Sequence, residues 1–512
     1  LDDLWADNRR PDELASEAVT LSTVFLDALR TAVRYPDTIL SVITRGARPH
    51  PAPGDTTEWV APASVIWGLG KSAALECSDH WGRLIDLDPN GDPKAEAGLL
   101  IDELAETATE GQQVWRGGRR WVPRLRPGGS TSPGSGWPAA RGSVLISGGT
   151  GAMAVHTMAG LARAGYQHFC LINRRGHLTD ELASLLNGVR EGGATVRLIQ
   201  GDVAEPADIA RALAAIKTDG FALQGVIHAA GVAQAELVTL ATQEDLNRVY
   251  RAKVQGTLSL HTATRDLGLD FFVGFSSMVS IWGAKGQAVY AAGNHFLDDW
   301  TIVVGRQGFP ARVINWGPIS GGGMVPASEL TKAAALGVRA LTLDSVSNTL
   351  ATVMTLPAPQ VVAVDIAWDV FRAHMEARRS NPFFSAVGRS TSAPATTPIR
   401  SADELRDIIQ AEVAAVLGNA RPEAIDTDRG FFEIGLDSLT VVQLKIQLEE
   451  RLGLTLPATL ALEYPSIDAL TGYMRTLVPD SSTPAVPVTT AQPSLGSAQK
   501  ADEPVAIVGI GC

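Results

Sequence analysis

Ser277 and Tyr290 are residue types that can protonate a carbonyl oxygen while hydride reaches its carbon. Ser277 closes a strand-like apolar run beginning at Phe271, and Tyr290 follows thirteen residues later on an apolar-periodic stretch. From a strand end and the next helix the two hydroxyls can converge on one oxygen, Ser277 as hydrogen-bond donor and Tyr290 as proton donor. A phenol with a pKa of about 10 is a weak acid at neutral pH and needs a cation to stabilise its phenolate. One turn beyond Tyr290 stands Asn294, on the same helix face but uncharged. Lys253, in the long helical stretch before the strand, is the candidate cation. Singly, Tyr290 reads as a core aromatic and Ser277 as a strand cap; their coincidence marks a site.

Such chemistry needs a dinucleotide, and a strand running into a glycine-rich turn and a helix is the context that holds one. The run Ser147-Gly148-Gly149-Thr150-Gly151-Ala152-Met153-Ala154 has this setting. Gly148, Gly149, Thr150 and Gly151 let the backbone approach a pyrophosphate, and the helix N-terminus supplies free N–H groups. The next strand ends in Asn173-Arg174-Arg175-Gly176. Where NAD would require an acidic residue, Arg174 and Arg175 favour the 2′-phosphate of NADP by charge and by fork-shaped hydrogen bonding. Asp202, after the third strand, is placed to bond the adenine amine; Ala230 and Gly231 end the fourth, where the cofactor backbone would pass. A further run, Gly68-Leu69-Gly70-Lys71-Ser72, resembles the end of a P-loop, but Val65 stands where that loop has its first glycine. A helix start against a sheet is expected there.

Strands expected over 143–147, 168–173, 195–200, 225–228, 271–275, 312–316 and 361–364 alternate with helices over 180–190, 206–217 and 243–264. The pattern predicts an α/β fold, a doubly wound, Rossmann-like parallel sheet over about 142–390. Residues 1–125 form a second α/β segment, with helices over 21–33, 63–77 and 95–105 and strands over 38–44, 81–87 and 113–125. Pro-, Gly- and Ser-rich linkers are expected over 126–141 and 479–502, with a shorter break near 390–397. Residues 400–478 read as a small all-helical bundle, in which Phe431-Phe432-Glu433-Ile434-Gly435-Leu436-Asp437-Ser438-Leu439 precedes a helix. Ser438 at that helix start is either a plain N-cap or a phosphodiester site.

The set Lys253, Ser277, Tyr290 and Asn294, in the context FSSMVSIWGAKGQAVYAAGNHFLDD, closely resembles the ketoreductases of modular type I polyketide synthases. Their Lys and Asn exchange places relative to other short-chain reductases. The resemblance implies NADPH-dependent reduction of a carrier-bound β-ketoacyl thioester. Tyr290 would be the acid, Ser277 the carbonyl donor, Lys253 the group that lowers the pKa of Tyr290, and Asn294 the residue that orients Lys253 or a relay water. Residues 1–125 would be the family's catalytically silent half. Stretch 431–439 resembles the acyl carrier protein motif, implying 4′-phosphopantetheine on Ser438, attached by a phosphopantetheinyl transferase. Residues 503–512 resemble the first strand of a β-ketoacyl synthase, implying a further module; ketosynthase and acyltransferase domains are the expected partners. Trp282, eight residues before Tyr290, and Gln287 resemble the A-type, unepimerised pattern, which implies an L-configured hydroxyl; no Leu-Asp-Asp triplet follows the fourth strand. Ala152 and Ala154 replace glycines common in the family, so a non-reducing fold kept for module assembly or α-epimerisation, beside a working carrier, is the competing reading. Gly321-Gly322-Gly323-Met324 offers a hinge for a lid.

The formal charge of −12 over 512 residues argues against nucleic acid, and no apolar run approaches the length of a membrane span. Cys77, Cys170 and Cys512 lie far apart, without metal-ligand spacing, so a reducing cytoplasm is expected. Both chain ends read as cut from a longer protein.

Overall fold

The computed structural model describes residues 9–49, 61–105, 110–128, 136–176, 178–233, 235–322, 325–376, 381–388, 402–417, 422, 425–436, 440–441, 444–445, 447–448, 456, 460–477 and 508–511. They divide into two compact units, 1–366 with 504–512, and 367–503. The first therefore closes at Ile366 rather than near 390, where the strand pattern ends.

The first unit opens with α1 (Pro11–Val33), β1 (Leu40–Arg45), α2 (Val65–Glu76), β2 (Trp81–Leu87), α3 (Pro93–Ala105), β3 (Gln112–Arg116) and β4 (Arg119–Trp121). Strands β1, β2 and β3 are parallel; β4 turns back antiparallel on β3. The single strand expected over 113–125 is thus a hairpin. Its two-residue turn is Gly117-Gly118, at φ 57° and 73°, and positive φ at both positions is the geometry that reverses a strand pair.

The expected P-loop-like run is not a helix start. Gly68 to Ser72 lie inside α2, where the backbone N–H groups already serve the helix. Glycine in a helix interior costs about 1 kcal/mol relative to alanine. Packing explains its presence: a Cβ on Gly68 would stand 2.4 Å from Cα of Ala292, so two helix backbones nearly touch.

The chain continues through β5 (Ser143–Ser147), α4 (Ala152–Arg163), β6 (His168–Asn173), α5 (Asp180–Glu191), β7 (Thr195–Gln200), α6 (Pro206–Thr218) and β8 (Leu223–His228). There follow α7 (Gln243–Tyr250), a π-helical turn at Arg251–Gln255, α8 (Gly256–Thr264), β9 (Phe271–Ser277), α9 (Val279–Trp282) and α10 (Ala288–Arg306). The last parts are β10 (Ala311–Trp316), α11 (Ala327–Ala335), α12 (Leu343–Thr355) and β11 (Gln360–Ile366). The sheet runs β7-β6-β5-β8-β9-β10-β11, all parallel, and its order reverses between β5 and β8. In such a sheet ligands bind beyond the strand C-termini at that reversal. The strand expected at the chain's end, β12 (Val508–Gly511), pairs parallel with β11. One core joins both halves: Trp67 of α2 is buried with Phe296 and Trp300 of α10.

In the second unit, α13 (Trp368–Met375), α14 (Ala402–Val416), α15 (Leu460–Glu463) and α16 (Ile467–Leu477) are helical. Leu405 and Ile409 of α14 share an apolar core with Phe431 and with Leu470 of α16.

Candidate active site

The glycine turn sits at the sheet's reversal point. Gly148 has φ 69°, and a Cβ there would meet the backbone of Ala229 and Ala230 at 2.8–2.9 Å. Only glycine allows both the curvature and that approach. Gly149 has room for nothing larger, its added Cβ falling 2.6 Å from Leu171. Gly151 is the N-cap of α4, and its N–H donates to the Gly148 carbonyl at 2.8 Å. Behind the turn, Ser147 Oγ bonds Nδ1 of His228 at 2.6 Å, tying the ends of β5 and β8 together.

A cleft opens there, lined by Gly148, Asn173, Arg174, Asp202, Ala230 and Gly231, with Arg251 at its edge. Thr150 is half-buried in the turn, and the exposed Arg174 and Arg175 stand at the end of β6. Asp202 is engaged: it accepts from Arg251 Nε at 2.8 Å and from the Ala204 N–H at 3.0 Å. Arg251 escaped the sequence reading; its only signal was its place two residues before Lys253.

Ala152 and Ala154 are buried in the apolar core. The Cβ of Ala152 points toward Gly322, where an added Cβ would lie 3.3 Å away. Neither residue is among those that line the cleft. Gly321 and Gly322 have φ 85° and 126°; Gly323 and Met324 of the expected lid lie outside the described residues.

Ser277 ends β9, Tyr290 sits in the first turn of α10, and Asn294 follows one turn on. Burial raises the pKa of the Tyr290 phenol, while hydrogen bonding from Asn294 and Ser277 opposes the rise. Ser277 and Asn294 thus stand beside the Tyr290 phenol. Asn294 Nδ2 donates to the Tyr290 carbonyl at 2.9 Å, leaving Oδ1 buried with no hydrogen-bond partner. Behind Ser277, Asn315 Nδ2 reaches Ser276 Oγ at 3.0 Å and Asp298 at 2.9 Å, a buried polar support that sequence reading missed.

Lys253 differs from expectation. It is 2% exposed, on the π-helical turn, and its ammonium donates to the Phe275 carbonyl. Burial lowers its pKa to about 7, against the pull of Asp298. Burial holds the Tyr290 phenol above its ordinary value, and the Lys253 ammonium takes the strand carbonyl as its acceptor. Yet Lys253 lies between cleft and helix. A Cβ on Gly231 would be 3.0 Å from Lys253 Cε and 3.5 Å from Nζ, and one on Gly293 would be 3.1 Å from Lys253 Cβ.

Trp282 is buried at the end of α9, and Gln287 is the N-cap of α10, bridged to Glu236. Ser438 lies outside the described residues.

Residues 142–321 match the KR domain family, and residues 4–125 match the Rossmann fold domain of the polyketide synthase extender module SpnB. Residues 407–474 match the phosphopantetheine attachment site. A solved A1-type ketoreductase is 32% identical, with 69% of this chain and 74% of that chain covered at a TM-score of 0.62. The ketoreductase from the first module of phoslactomycin biosynthesis in Streptomyces sp. HK803 is 31% identical, with 72% and 85% covered at a TM-score of 0.63.

The chain belongs to the polyketide synthase ketoreductases.

Polyketide synthase GfsA of Streptomyces halstedii is 34% identical over 99% of this chain, which spans 7% of that relative's length. This ketoreductase is a β-ketoacyl reductase of the NADPH-using kind, followed by a helical domain of the type that carries 4′-phosphopantetheine. The residues present fit NADPH: the turn at Gly148 admits no side chain, Arg174 stands on the cleft wall, and Asn294 Oδ1 is a buried acceptor left over. Among the described residues no helix is long and apolar enough to cross a membrane.

Proposed function

We propose that the chain reduces a β-ketoacyl thioester, carried on Ser438 through 4′-phosphopantetheine, to the L-β-hydroxyacyl thioester without epimerising the α-carbon. The placing of Ser277 and Asn294 beside Tyr290 at the end of β9, with Lys253 packed behind Gly231 of the cleft, carries this reading. NADPH, held by the glycine turn, Arg174 and Arg175, supplies the hydride. Ser277 hydrogen-bonds the ketone oxygen, and Tyr290 gives that oxygen its proton. Burial makes the free phenol a weaker acid, so the cation matters more. Lys253, packed against Gly293 of α10 and against Gly231, is the group that supplies it, with Asn294 Oδ1 free to take up a relay water.

The A-type reading rests on Trp282 and Gln287, and solved A1-type and A-type ketoreductases are among the similar structures. Ketosynthase and acyltransferase domains, with a phosphopantetheinyl transferase, are the expected partners, in the cytoplasm. Residues 503–512 are read as the start of a ketosynthase. Incubation with a β-ketoacyl pantetheine thioester and NADPH, comparing wild type with Tyr290→Phe, tests the reading; equal turnover would remove it. Chiral analysis of the product tests the stereochemistry, and a D-hydroxyl would overturn it.

A further inference from the structure

Helix α2 belongs to the half without a cofactor turn, yet one of its faces is spent on the segment that precedes Tyr290. Lys71 Nζ donates to the Ser280 carbonyl at 2.7 Å, and Ser72 Oγ accepts from the Ala284 N–H at 3.3 Å. Gly283, at φ 81°, packs so closely that an added Cβ would stand 2.5 Å from the Lys71 carbonyl oxygen. Glu76, one turn further along α2, reaches two segments at once. Its Oε1 accepts from the Gly286 N–H at 2.9 Å and its Oε2 from the Val238 N–H at 2.7 Å. Glu236 and Gln287 bridge beside this clamp. From α1, Arg30 holds the same 238–241 stretch through the carbonyls of Thr239 and Ala241 at 2.9 and 2.6 Å. The segment tied to α2 bears Trp282 and Gln287.

We propose that Glu76 is a specificity-positioning residue, whose carboxylate holds the 236–240 and 283–287 segments at the separation that admits the acyl chain to one face of the ketone. The proposal rests on the A-type reductase reading above. A carboxylate has an acceptor for each N–H, and a hydrogen bond from a peptide to a charged acceptor is stronger than to a neutral one. Beyond the single bridge from Glu236 to Gln287 and the short turn at Val238–Leu240, neither segment is regular secondary structure, so these bonds add to a ladder of one pair.

The test uses the full chain with selective labelling of valine and glycine. In Glu76→Ala the amides of Val238 and Gly286 should exchange hydrogen about tenfold faster or more than in wild type. In Glu76→Gln only one of them should, because an amide has a single accepting oxygen. With a β-ketoacyl pantetheine thioester, Glu76→Ala should raise KM more than it lowers kcat. The minor diastereomer should rise about fivefold, with NADPH affinity unchanged. Glu76→Gln should lie between. Unchanged exchange at both amides would overturn the clamp. Faster exchange with KM and diastereomer ratio unmoved would overturn the specificity role. Should wild type fail to reduce the thioester, the reductase reading falls and with it the specificity role, while amide exchange still decides the clamp.

Discussion

The run Gly68-Leu69-Gly70 in α2 and the run Gly148-Gly149-Thr150-Gly151 after β5 differ in what their missing side chains make room for. At Gly68 the space is filled by protein, the backbone of Ala292 lying 2.4 Å from where a Cβ would be. At Gly148 the positive φ curls the chain against Ala230, beside an open cleft. Glycine content alone does not mark a phosphate site. Position relative to a helix N-terminus does, because only the first turn has N–H groups left to offer. The first half spends its glycines on packing and the second on access.

That contrast predicts opposite readouts. Tyr290→Phe removes the proposed acid, and kcat should fall by about 10²–10⁴-fold with the thermal midpoint unmoved; kinetics with a thioester substrate and a melting curve check both. Gly68→Ala should do the reverse. Forcing a methyl against a helix backbone costs about 1–3 kcal/mol, visible as a lower denaturant midpoint, while NADPH affinity of the folded protein is kept. A loss of affinity with full stability would break the comparison. Arg174→Ala should reduce the preference for NADPH over NADH about tenfold, measured by paired kcat/KM values. The smallest effect is on pH. Burial lowers the pKa of Lys253 to about 7, and the charged form is the active one. Activity should be full below that pKa and decline as pH rises through it. Arginine stays protonated throughout, so whatever activity Lys253→Arg retains should lack that decline.

Local patterns anticipated much of this. The strands at 143–147, 168–173 and 195–200 appear with those bounds; the first two are apolar runs buried on both faces of a parallel sheet, and the third is a half-exposed edge strand. Strand β9 runs past the apolar stretch 271–275 to Ser277, the expected place of the serine at the strand end. The stretch 243–264 was expected as one helix and is three pieces, with a π-helical turn that carries Lys253. Periodicity could not reveal this, since one widened turn leaves the apolar spacing on either side intact. Arg251 was missed because a basic residue on a helix reads as solvated until its partners, Asp202 and Glu205, are seen. The carrier domain matches the phosphopantetheine attachment site over residues 407–474, while Ser438 itself is assigned on its motif.

Chain order was enough for the order of elements, the glycine turn and the spacing of Ser277, Tyr290 and Asn294, because each is written within a few turns of helix or one strand–helix step. The direction of the Lys253 ammonium, the clamp of Glu76 and the contact of α2 with α10 were decided only on folding. Glu76 and Gly286 are 210 positions apart. Bonds over such separations depend on how two layers pack, and no local periodicity encodes that.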